Sequence, residues 1–260
     1  MAADIGNTNA VFGLFREGTL LLAFRFPTWP EATSDLLLAH LHSTLEAHGF
    51  SLQKVHSLSA VSVVPAWDQL LLEVARRRGW KAFFPKGRHY PHPIHYQPPE
   101  TVGADRLANA LAAKHLYGVP ALVVDFGTAT TFDAVGREGE YLGGAIAPGL
   151  LTAAEALFAR AALLPRVRVS PPRRALGRNT EESLSSGIIL GKAALVEGMV
   201  ERLKKEIEGE VRVIATGGLA GEVASFCPAL EIIDEHLTLK GAALWARLNE
   251  GGEREGCSGG

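Results

Sequence analysis

Two short stretches of the chain repeat one polar pattern, an aspartate followed by a glycine and by amide or hydroxyl side chains. The first is DIGNTN, from Asp4 to Asn9, and the second is DFGTAT, from Asp125 to Thr130. A glycine in a tight turn permits a positive φ and a close approach to a ligand. Exposed backbone N–H groups beside Asn and Thr can bind phosphate without a net positive charge. The pattern therefore predicts two phosphate-binding turns.

An aspartate beside a phosphate requires a cation between the two groups. Asp4 is therefore a candidate ligand for Mg²⁺, directly or through water. An ordinary Asx-type hairpin turn would explain either stretch alone. Two independent turns seldom contain the same residues, so the second copy at Asp125 favours a shared role in binding phosphate.

A third polar stretch, GADR from Gly103 to Arg106, leads from a proline-rich loop into a predicted helix. A carboxylate at or near the N-cap of a helix is stabilised by the helix end. Asp105 is thus either a plain cap beside a solvated Arg106, or a general base beside an arginine that binds substrate or phosphate. These residues alone leave both alternatives open.

Glycines mark two further turns that have both a structural and a functional interpretation. TGG, from Thr216 to Gly218, follows a predicted strand and precedes a helix. It is either a simple connection or a place where a flat group such as a nucleotide base approaches the backbone closely. GGAIAPG, residues 143–149, is either a hinge or a wall of a site.

Alternating strands and helices must position these stretches. Hairpin turns are predicted at residues 16–18 and 137–140, and a long loop from Pro85 to Glu100. The predicted strands are 10–15, 19–26, 57–64, 81–84, 121–125, 211–215 and 230–233. The predicted helices are 34–48, 67–78, 105–117, 150–164, 182–208 and 237–248.

The predicted elements form two similar halves. Each half begins with a strand, the Asp-x-Gly pattern and two further strands, and then alternates helices and strands. Internal repetition of this kind predicts a duplicated α/β domain with a ligand-binding cleft between the copies. The predicted domains are residues 1–117 and 118–248, followed by a disordered tail at residues 249–260.

The composition excludes several classes of protein. With 260 residues, 47% hydrophobic and 21% charged, the chain can bury a normal core. A net charge of −2 without a long basic run argues against nonspecific binding of nucleic acid. The N-terminus lacks a signal-peptide pattern, and no apolar run approaches the roughly 18 residues of a membrane-spanning helix. We therefore expect a soluble cytoplasmic protein with neither a nucleic acid nor a membrane as partner.

Other motifs are absent or carry less weight. GxxxxGK[ST], a strand followed by GxGxxG, and GxSxG do not occur, which excludes the common P-loop, dinucleotide and hydrolase sites. The two cysteines, Cys227 and Cys257, cannot form a disulfide framework or a four-ligand zinc site, and Cys227 is predicted to be buried.

Histidine and glycine spacings suggest two further features. His89, His92 and His95 recur every third residue, but the intervening prolines exclude a helix that would bring the rings together, so metal binding is disfavoured. Gly187 and Gly191 form GxxxG in a predicted helix, which predicts close packing of helices, with a subunit contact as one place for it, and not a membrane dimer.

Six motifs, in this order and at this spacing, resemble the type III pantothenate kinases, members of the acetate kinase, sugar kinase, Hsp70 and actin superfamily. The motifs are DIGNTN at 4–9, GADR at 103–106, DFGTATTFD at 125–133, GGAIAPG at 143–149, TGG at 216–218 and LTLKGA at 237–242. The Asp-x-Gly-x-Thr pattern indicates only the superfamily, whereas GADR together with DFGTATTFD narrows it to this family.

The resemblance covers nearly the whole chain and implies a fold and a function. The implied fold is α/β, with duplicated ribonuclease H-like (actin-like ATPase) domains and an interdomain cleft. The implied reaction is the ATP-dependent phosphorylation of pantothenate to 4′-phosphopantothenate, the first step of coenzyme A biosynthesis. The family also forms homodimers.

The resemblance implies roles for particular residues. Asp105 is the base for the substrate hydroxyl, Asp125 binds a monovalent cation (K⁺ or NH₄⁺), and Asp4 holds Mg²⁺, possibly through water. The residues implied to bind ATP are Asp4, Ile5, Gly6, Asn7, Thr8, Asn9, Ala10, Val11 and Thr128. Those implied to bind pantothenate are Tyr96, Gly103, Ala104, Asp105, Arg106 and Thr180.

Two other functions stay open. A sugar or acyl kinase of the same superfamily is one, although the Cys/His zinc motif of the repressor-type sugar kinases is absent. A non-catalytic regulatory homologue is the other, although Asp4, Asp105 and Asp125 are all retained.

The chain also departs from the family in having only Met1–Ala3 before Asp4, so the first strand is expected to be short or to start further upstream.

Overall fold

The computed structural model describes residues 1–161, 164 and 166–255, and for residues 250–255 it describes the backbone alone. The chain forms two compact units. The first comprises Met1–Pro91, Gln97–Ala112 and Thr238–Gly260, and the second His92–Tyr96 and Ala113–Leu237. The domains expected from the sequence, 1–117 and 118–248, differ from these units mainly in the last helix, which belongs to the first unit.

The first unit is a five-stranded mixed sheet in the order β3-β2-β1-β4-β5 with helices packed against it. Its strands are β1 (Ala2–Ile5), β2 (Asn9–Arg16), β3 (Thr19–Pro27), β4 (Ser57–Ser62) and β5 (Lys81–Phe83). Its helices are α1 (Ser34–Ala47), α2 (Pro65–Arg78), most of α3 (Ala104–Tyr117) and nearly all of α7 (Leu237–Glu255).

The short first strand lies at the centre of this sheet. Each residue of β1 pairs with β2 on one side, antiparallel, and with β4 on the other, parallel. The Met1 carbonyl also accepts a hydrogen bond from the Ser59 N–H at 2.9 Å. Because both edges of β1 are paired, four residues suffice to hold Asp4 in a fixed register.

The helices of this unit begin and end where the sequence provides caps. The Thr33 side chain accepts a hydrogen bond from the Leu36 N–H at the start of α1. Pro65 begins α2, and Gly79, with a φ of 67°, ends it. Apolar residues at helical spacing on α1 and α2 form the core with the sheet; they include Leu37, Leu41, Leu45, Trp67, Leu71 and Val74.

The glycine of the LTLKGA motif lets two helices approach closely. A Cβ at Gly241 in α7 would lie 2.5 Å from the carbonyl carbon of Ala108 in α3. The Ser59 hydroxyl donates to the Ala242 carbonyl at 2.7 Å and ties β4 to the same turn of α7. The small residues of the motif therefore hold α3, and with it the GADR stretch, against the rest of the unit.

The second unit repeats the architecture of the first. Its strands are β6 (Ala121–Phe126), β7 (Ala129–Val135), β8 (Tyr141–Pro148), β9 (Arg212–Thr216) and β10 (Ile232–Ile233). Its helices are α4 (Leu150–Arg160), α5 (Thr180–Lys204) and α6 (Ala220–Ala224). The sheet order, β8-β7-β6-β9-β10, matches that of the first sheet strand for strand. The predicted duplication of a ribonuclease H-like α/β domain is confirmed.

Several element boundaries differ from the prediction. Helix α4 ends at Arg160 and not at residue 164. Helix α5 spans 180–204 and not 182–208, because the Asn179 side chain caps it by accepting from the Glu182 N–H. The loop at 85–100 contains a 3₁₀ turn at Gly87–His89, and the last helix continues to Glu255, into the predicted tail.

Helix α5 is long and apolar enough to cross a membrane by length and composition alone, contrary to the expectation that no run approaches that length. Its best 18-residue window has a mean hydropathy of 1.3, and 44% of it is buried within the structure. Ile189, Ala193 and Val196 lie in the core of the second unit. A core helix of a soluble protein has this character.

The predicted burial of Cys227 and the predicted close packing at the GxxxG glycines have opposite outcomes. Cys227 is fully buried, as predicted, whereas Cys257 lies outside the described residues. The predicted close packing at Gly187 and Gly191 is wrong within the chain. A Cβ at either glycine would meet no described atom within 4 Å, because both face an open groove.

Candidate active site

The turn after β1 is fastened at its base and exposed at its tip. The Gly6 N–H donates to the Asn9 carbonyl at 2.9 Å. Thr28, directly after β3, holds the turn: its hydroxyl donates to the Gly6 carbonyl at 2.7 Å, and its N–H donates to the Thr8 carbonyl at 2.9 Å. The polar side chains of residues 7–9 are exposed, while Asp4 is half-buried. The turn thus presents amide and hydroxyl groups from a fixed backbone.

The predicted use of positive φ at the first glycine of this turn is wrong. Positive φ occurs at other described glycines, such as Gly143 and Gly217, and not at Gly6 or Gly127. Ile5 pairs with Ala10, so residues 6–9 make the reversal, and this length does not require a left-handed residue. Gly6 instead brings its backbone close to the Asn9 carbonyl, which would lie 3.3 Å from a Cβ.

The second turn is one residue shorter and is held by a helix. Phe126 pairs with Thr130, which leaves residues 127–129 for the reversal. The Thr128 carbonyl accepts hydrogen bonds from the Gly149 N–H at 3.1 Å and from the Thr152 hydroxyl at 2.7 Å. The start of α4 therefore fixes this turn, and the Thr128 side chain is exposed.

The TGG stretch packs directly against the strand that carries Asp125. Gly217 has a φ of 90°, and a Cβ there would lie 2.6 Å from Asp125 Oδ1 and 2.8 Å from the Phe126 nitrogen. Atoms of β6 occupy the space that a side chain at position 217 would fill. Position 217 therefore requires a glycine whether or not a ligand binds there. This contact is between protein atoms, so the predicted approach of a flat group such as a nucleotide base to TGG stays a prediction.

A buried hydroxyl beside Asp125 lacks a protein partner. Thr216 is paired in register with Asp125 in the parallel β6–β9 ladder, so the two side chains share one face of the sheet. Thr216 is fully buried, and its Oγ1 makes no hydrogen bond within the described structure. A buried hydroxyl without a partner is costly, so this oxygen is available to a bound group. Sequence reasoning treated TGG only through its glycines and missed this residue.

Asp105 lies in the first turn of α3, two residues after Gly103. Its Oδ1 accepts a hydrogen bond from the Arg106 N–H at 2.9 Å. Burial raises the pKa of the Asp105 carboxyl, and the Arg106 N–H and guanidinium oppose that effect. A carboxylate with a raised pKa is a stronger base than an ordinary one. Arg106 itself is buried, so it is not the solvated residue of the plain-cap interpretation.

Tyr96 is positioned by a buried tyrosine of its own unit. The rings of Tyr96 and Tyr141 pack edge to face with centroids 6.3 Å apart. The Tyr141 hydroxyl donates to Asp133 Oδ1 at 2.7 Å, and both residues are fully buried. The Tyr141 backbone bonds to Pro93 and His95 at 2.9 and 2.8 Å. The segment before Tyr96 is thereby attached to β8. Asp133, the aspartate that ends DFGTATTFD, thus helps to position this segment. The sequence analysis did not predict that role.

Thr180 and Lys192 lie on α5. Thr180 is the first residue of the helix, after the Asn179 cap, and it is exposed. Lys192 is buried, and its Nζ donates to Thr130 Oγ1 at 3.3 Å and to the Pro148 carbonyl. Burial lowers the Lys192 pKa. Sequence reasoning missed Lys192, although a lysine within the apolar run GIILGKAALV is a detectable signal.

The histidine-rich loop does not form a metal cluster. His89 belongs to the first unit, and His92 and His95 to the second. Among the described residues, no group of three or more His, Cys, Asp or Glu is arranged to hold a metal ion.

Comparison with known proteins gives one family. The chain matches the family described as type III pantothenate kinase over residues 1–202. It is 44% identical over 243 residues to a type III pantothenate kinase of Thermomicrobium roseum, covering 93% of this chain and 94% of that one. It is 42% identical over 243 residues to the enzyme of the same description from Moorella thermoacetica, covering 93% and 96%.

Solved structures show the same fold at low identity. The activator of the 2-hydroxyisocaproyl-CoA dehydratase from Clostridium difficile, solved with bound ADPNP, aligns with a TM-score of 0.59 and 11% identity over 99% of this chain and 97% of that one. Component A of the (R)-2-hydroxyglutaryl-CoA dehydratase from Acidaminococcus fermentans aligns with a TM-score of 0.53 and 15% identity, covering 95% and 97%.

Proposed function

Because the chain belongs to the type III pantothenate kinase family, and so phosphorylates pantothenate in coenzyme A biosynthesis, we propose that Asp105 is the base of this reaction. One observation carries the assignment: within GADR, Asp105 is held at the start of α3 with a pKa raised by burial. Its Oδ1 is also oriented by the Arg106 N–H.

The proposed reaction is an in-line transfer from ATP. The primary hydroxyl oxygen of pantothenate attacks the γ-phosphorus, the bond from that phosphorus to the β,γ-bridging oxygen breaks, and ADP leaves with the bonding electrons. The hydroxyl proton passes to Asp105. Positioning and charge neutralisation dominate the catalysis of such a transfer. The buried Arg106 guanidinium supplies a fixed positive charge that orients the substrate.

The turn from Asp4 to Val11 binds the phosphates of ATP in this proposal. Its support is the exposed polar tip at residues 7–9 on a backbone that Thr28 fixes. Thr128 adds a contact from the second turn, which α4 fixes in the same way. The Asp4 carboxylate suits Mg²⁺, which in proteins commonly takes one or two carboxylates together with waters and phosphate oxygens. Mg²⁺ there would neutralise phosphate charge.

Asp125 holds a monovalent cation, K⁺ or NH₄⁺, in this proposal. The donors fit a hard cation, because the Asp125 carboxylate shares a face of the sheet with the unpartnered Thr216 hydroxyl. Such a cation would supply positive charge at the end of β6. The pantothenate contacts are Tyr96, Gly103 to Arg106, and Thr180. Tyr96 is supported by its packing against the buried Tyr141.

We infer a homodimer that associates through a groove between α4 and α5. The groove has a volume of about 440 Å³ and is lined mainly by apolar residues, with Gly187 and Gly191 facing it. Leu157 and Leu195 of its lining are exposed. A second copy of the chain would cover these side chains and would make use of the GxxxG glycines.

The cytoplasm is the proposed location, with no nucleic acid or membrane as partner.

A coupled assay of ADP release tests the catalytic proposal. We expect ADP release to require pantothenate and Mg²⁺ and to be stimulated by K⁺ over Na⁺. Asp105→Asn should lower kcat by about 10²- to 10⁴-fold, the usual contribution of a general base, while ATP binding is retained. Asp68→Asn, at an aspartate of α2, is the matched control and should leave kcat unchanged. Full activity of Asp105→Asn would overturn the assignment of the base.

A further inference from the structure

A buried lysine that the proposed mechanism does not use lies next to the second turn, residues 127–129. Lys192 lies on α5 within the apolar run GIILGKAALV, and only 6% of it is exposed. Its helix neighbours Ile189, Ala193 and Val196 belong to the core of the second unit. Moving an ammonium group from water into such surroundings is costly unless the protein supplies polar partners for it.

The polar partners of Lys192 come from β7 and β8, beside the turn that leads into β7. Its Nζ donates to Thr130 Oγ1, on β7, at 3.3 Å and to the carbonyl of Pro148, the last residue of β8. In the antiparallel pairing of these two strands, Pro148 lies opposite Ala129. One ammonium group thus joins the start of β7 to the end of β8.

The same end of β8 is also attached to the second turn. Gly149, directly after Pro148, donates its N–H to the Thr128 carbonyl at 3.1 Å. Lys192 is therefore connected to Thr128 by two short routes. One passes through Pro148 and the Gly149 hydrogen bond, and the other through Thr130, two residues further along the chain. Loss of the ammonium group would release both routes.

The charge of Lys192 is not neutralised by an acid of the described part of the chain. No carboxylate there forms an ion pair with its Nζ. Burial lowers the Lys192 pKa, and no neighbouring carboxylate opposes that effect. A buried charge without a counter-ion acts on nearby groups with little screening. An anion bound at the adjacent turn would therefore be favoured.

We propose that Lys192 is a positioning residue for the nucleotide, because it holds the second turn where Thr128 contacts ATP. This inference rests on the proposed function, which assigns Thr128 to ATP. Lys192 acts through Thr130 and Pro148 and not by contact with the nucleotide. Its loss weakens the binding of ATP, whereas pantothenate, whose proposed contacts lie elsewhere, binds as before.

Steady-state kinetics of Lys192→Met and Lys192→Arg in the coupled assay of ADP release test the proposal. Methionine keeps the apolar stem but donates no hydrogen bond. The KM for ATP should therefore rise about fivefold or more, the factor that corresponds to one typical hydrogen bond, while kcat and the KM for pantothenate stay nearly unchanged. Arginine can donate the same bonds, and the groove beside Gly187 and Gly191 has room for its larger head group, so Lys192→Arg should restore the KM for ATP.

Lys204→Met is the matched control, because Lys204 lies in the last turn of the same helix and binds Glu231 at 2.9 Å. It should leave both KM values unchanged. A merely structural role of Lys192 would lower the amount of active protein, and therefore kcat, without raising the KM for ATP. A fall in kcat alone, or an unchanged KM for ATP, in Lys192→Met would overturn the proposal.

Two further measurements separate this inference from the proposed function. Calorimetric titration with ATP and Mg²⁺, without pantothenate, compares the same variants by binding alone. Weaker binding by Lys192→Met than by Lys204→Met supports the inference even if no turnover is found, and equal binding rejects it. Thr128→Ala keeps the carbonyl that Gly149 binds but removes the side chain. Weaker ATP binding by Thr128→Ala together with unchanged binding by Lys192→Met would keep the ATP contact and reject the role of Lys192.

Discussion

Burial raises the pKa of the Asp105 carboxyl, so folding disfavours the charged form of this residue. A carboxyl with a raised pKa in the folded chain is more stable when protonated, and it costs stability once the pH exceeds its unfolded pKa of about 3.9. In the proposed role of general base, the same property would make Asp105 a better acceptor of the hydroxyl proton. Activity and stability therefore make opposite demands on this side chain.

We predict that Asp105→Asn raises the melting temperature at pH 7 to 8 and that the gain shrinks as the pH falls towards 4. Asparagine removes the buried charge, and at low pH the aspartate is protonated and no longer carries that charge. Thermal denaturation monitored by circular dichroism across this pH range measures the effect. A lower melting temperature for Asp105→Asn at pH 8 would contradict it.

Glu182→Gln is a control for that experiment, because the opposite change in melting temperature is expected. The Arg178 backbone N–H, together with Arg174 and Asn179, lowers the pKa of Glu182. A carboxyl with a lowered pKa stabilises the fold above its unfolded pKa and loses that contribution as the pH falls through its folded pKa. Glu182→Gln should therefore lower the melting temperature at pH 7 and have little effect at low pH.

The Thr216 hydroxyl gives the second prediction at the level of single residues. If this buried oxygen helps to hold the monovalent cation at Asp125, Thr216→Val should raise the K⁺ concentration for half-maximal activity several-fold. Valine has nearly the same shape and removes a hydroxyl that has no protein partner, so the melting temperature should not fall. Activity measured against K⁺ concentration tests this, with the buried Thr238→Val of the first unit as control. An unchanged K⁺ dependence in Thr216→Val would remove Thr216 from the cation site.

Among the elements, the contact between β6 and the end of β9 leaves no room for a side chain at Gly217. The chain reverses after β9 at Gly217, whose φ is 90° and whose missing Cβ leaves room for backbone atoms of Phe126. An alanine there would strain the backbone and push the end of β6, which carries Asp125. The position of Asp125, the proposed cation ligand, therefore depends on the glycine that follows β9.

We predict that Gly217→Ala lowers the free energy of unfolding by roughly 1–3 kcal/mol, the cost of local backbone strain, and strongly reduces ADP release. Denaturant titration and the coupled assay measure the two effects. Gly221→Ala is the matched control, because Gly221 lies within α6 and a Cβ there would make only an ordinary contact at 3.7 Å. It should be neutral or stabilise by up to about 1 kcal/mol. Equal stability of the two variants would show that β6 accommodates the added methyl.

The elements also show what local sequence patterns can predict. Hairpins, most helices and the two turns follow from apolar spacing and from Gly and Asn caps, which act within a few residues. The centre of the first sheet could not be inferred in this way, because β1 is held by pairing with β4, more than fifty residues away. Gly217 and Gly241 likewise owe their identity to backbone that is distant in sequence. The motifs of the site were visible in the sequence, and so was Lys192 as a lysine within an apolar run, whereas the buried partner roles of Thr216 and Asp133 required the fold.

For the whole molecule, duplication explains why both turns occur. The two sheets have the same strand order, so Asp4 and Asp125 lie on equivalent strands, β1 and β6, just before the first reversal of each unit. The copies have diverged in loop length, since the first turn is one residue longer than the second. The two turns therefore differ in length, as do the roles proposed for them.

The apolar groove between α4 and α5 gives a prediction about assembly. Leu157 and Leu195 line the groove and are 40% and 38% exposed. Water contact with these side chains is unfavourable, and burial by a second copy removes it. We therefore predict that the chain sediments as a dimer of twice 27.8 kDa, and that Leu157→Glu or Leu195→Glu shifts it to the monomer. A charge buried at the centre of an interface without a partner opposes association.

Leu72→Glu is the matched control, because Leu72 is also an exposed leucine on a helix, at 43%, but lies on α2 of the first unit. It should leave the dimer intact. Analytical ultracentrifugation at several protein concentrations distinguishes the cases, because a weakened dimer dissociates on dilution whereas an intact one keeps its mass. A dimer that survives both groove substitutions would place the interface on another surface, and a monomeric unsubstituted chain would reject the homodimer.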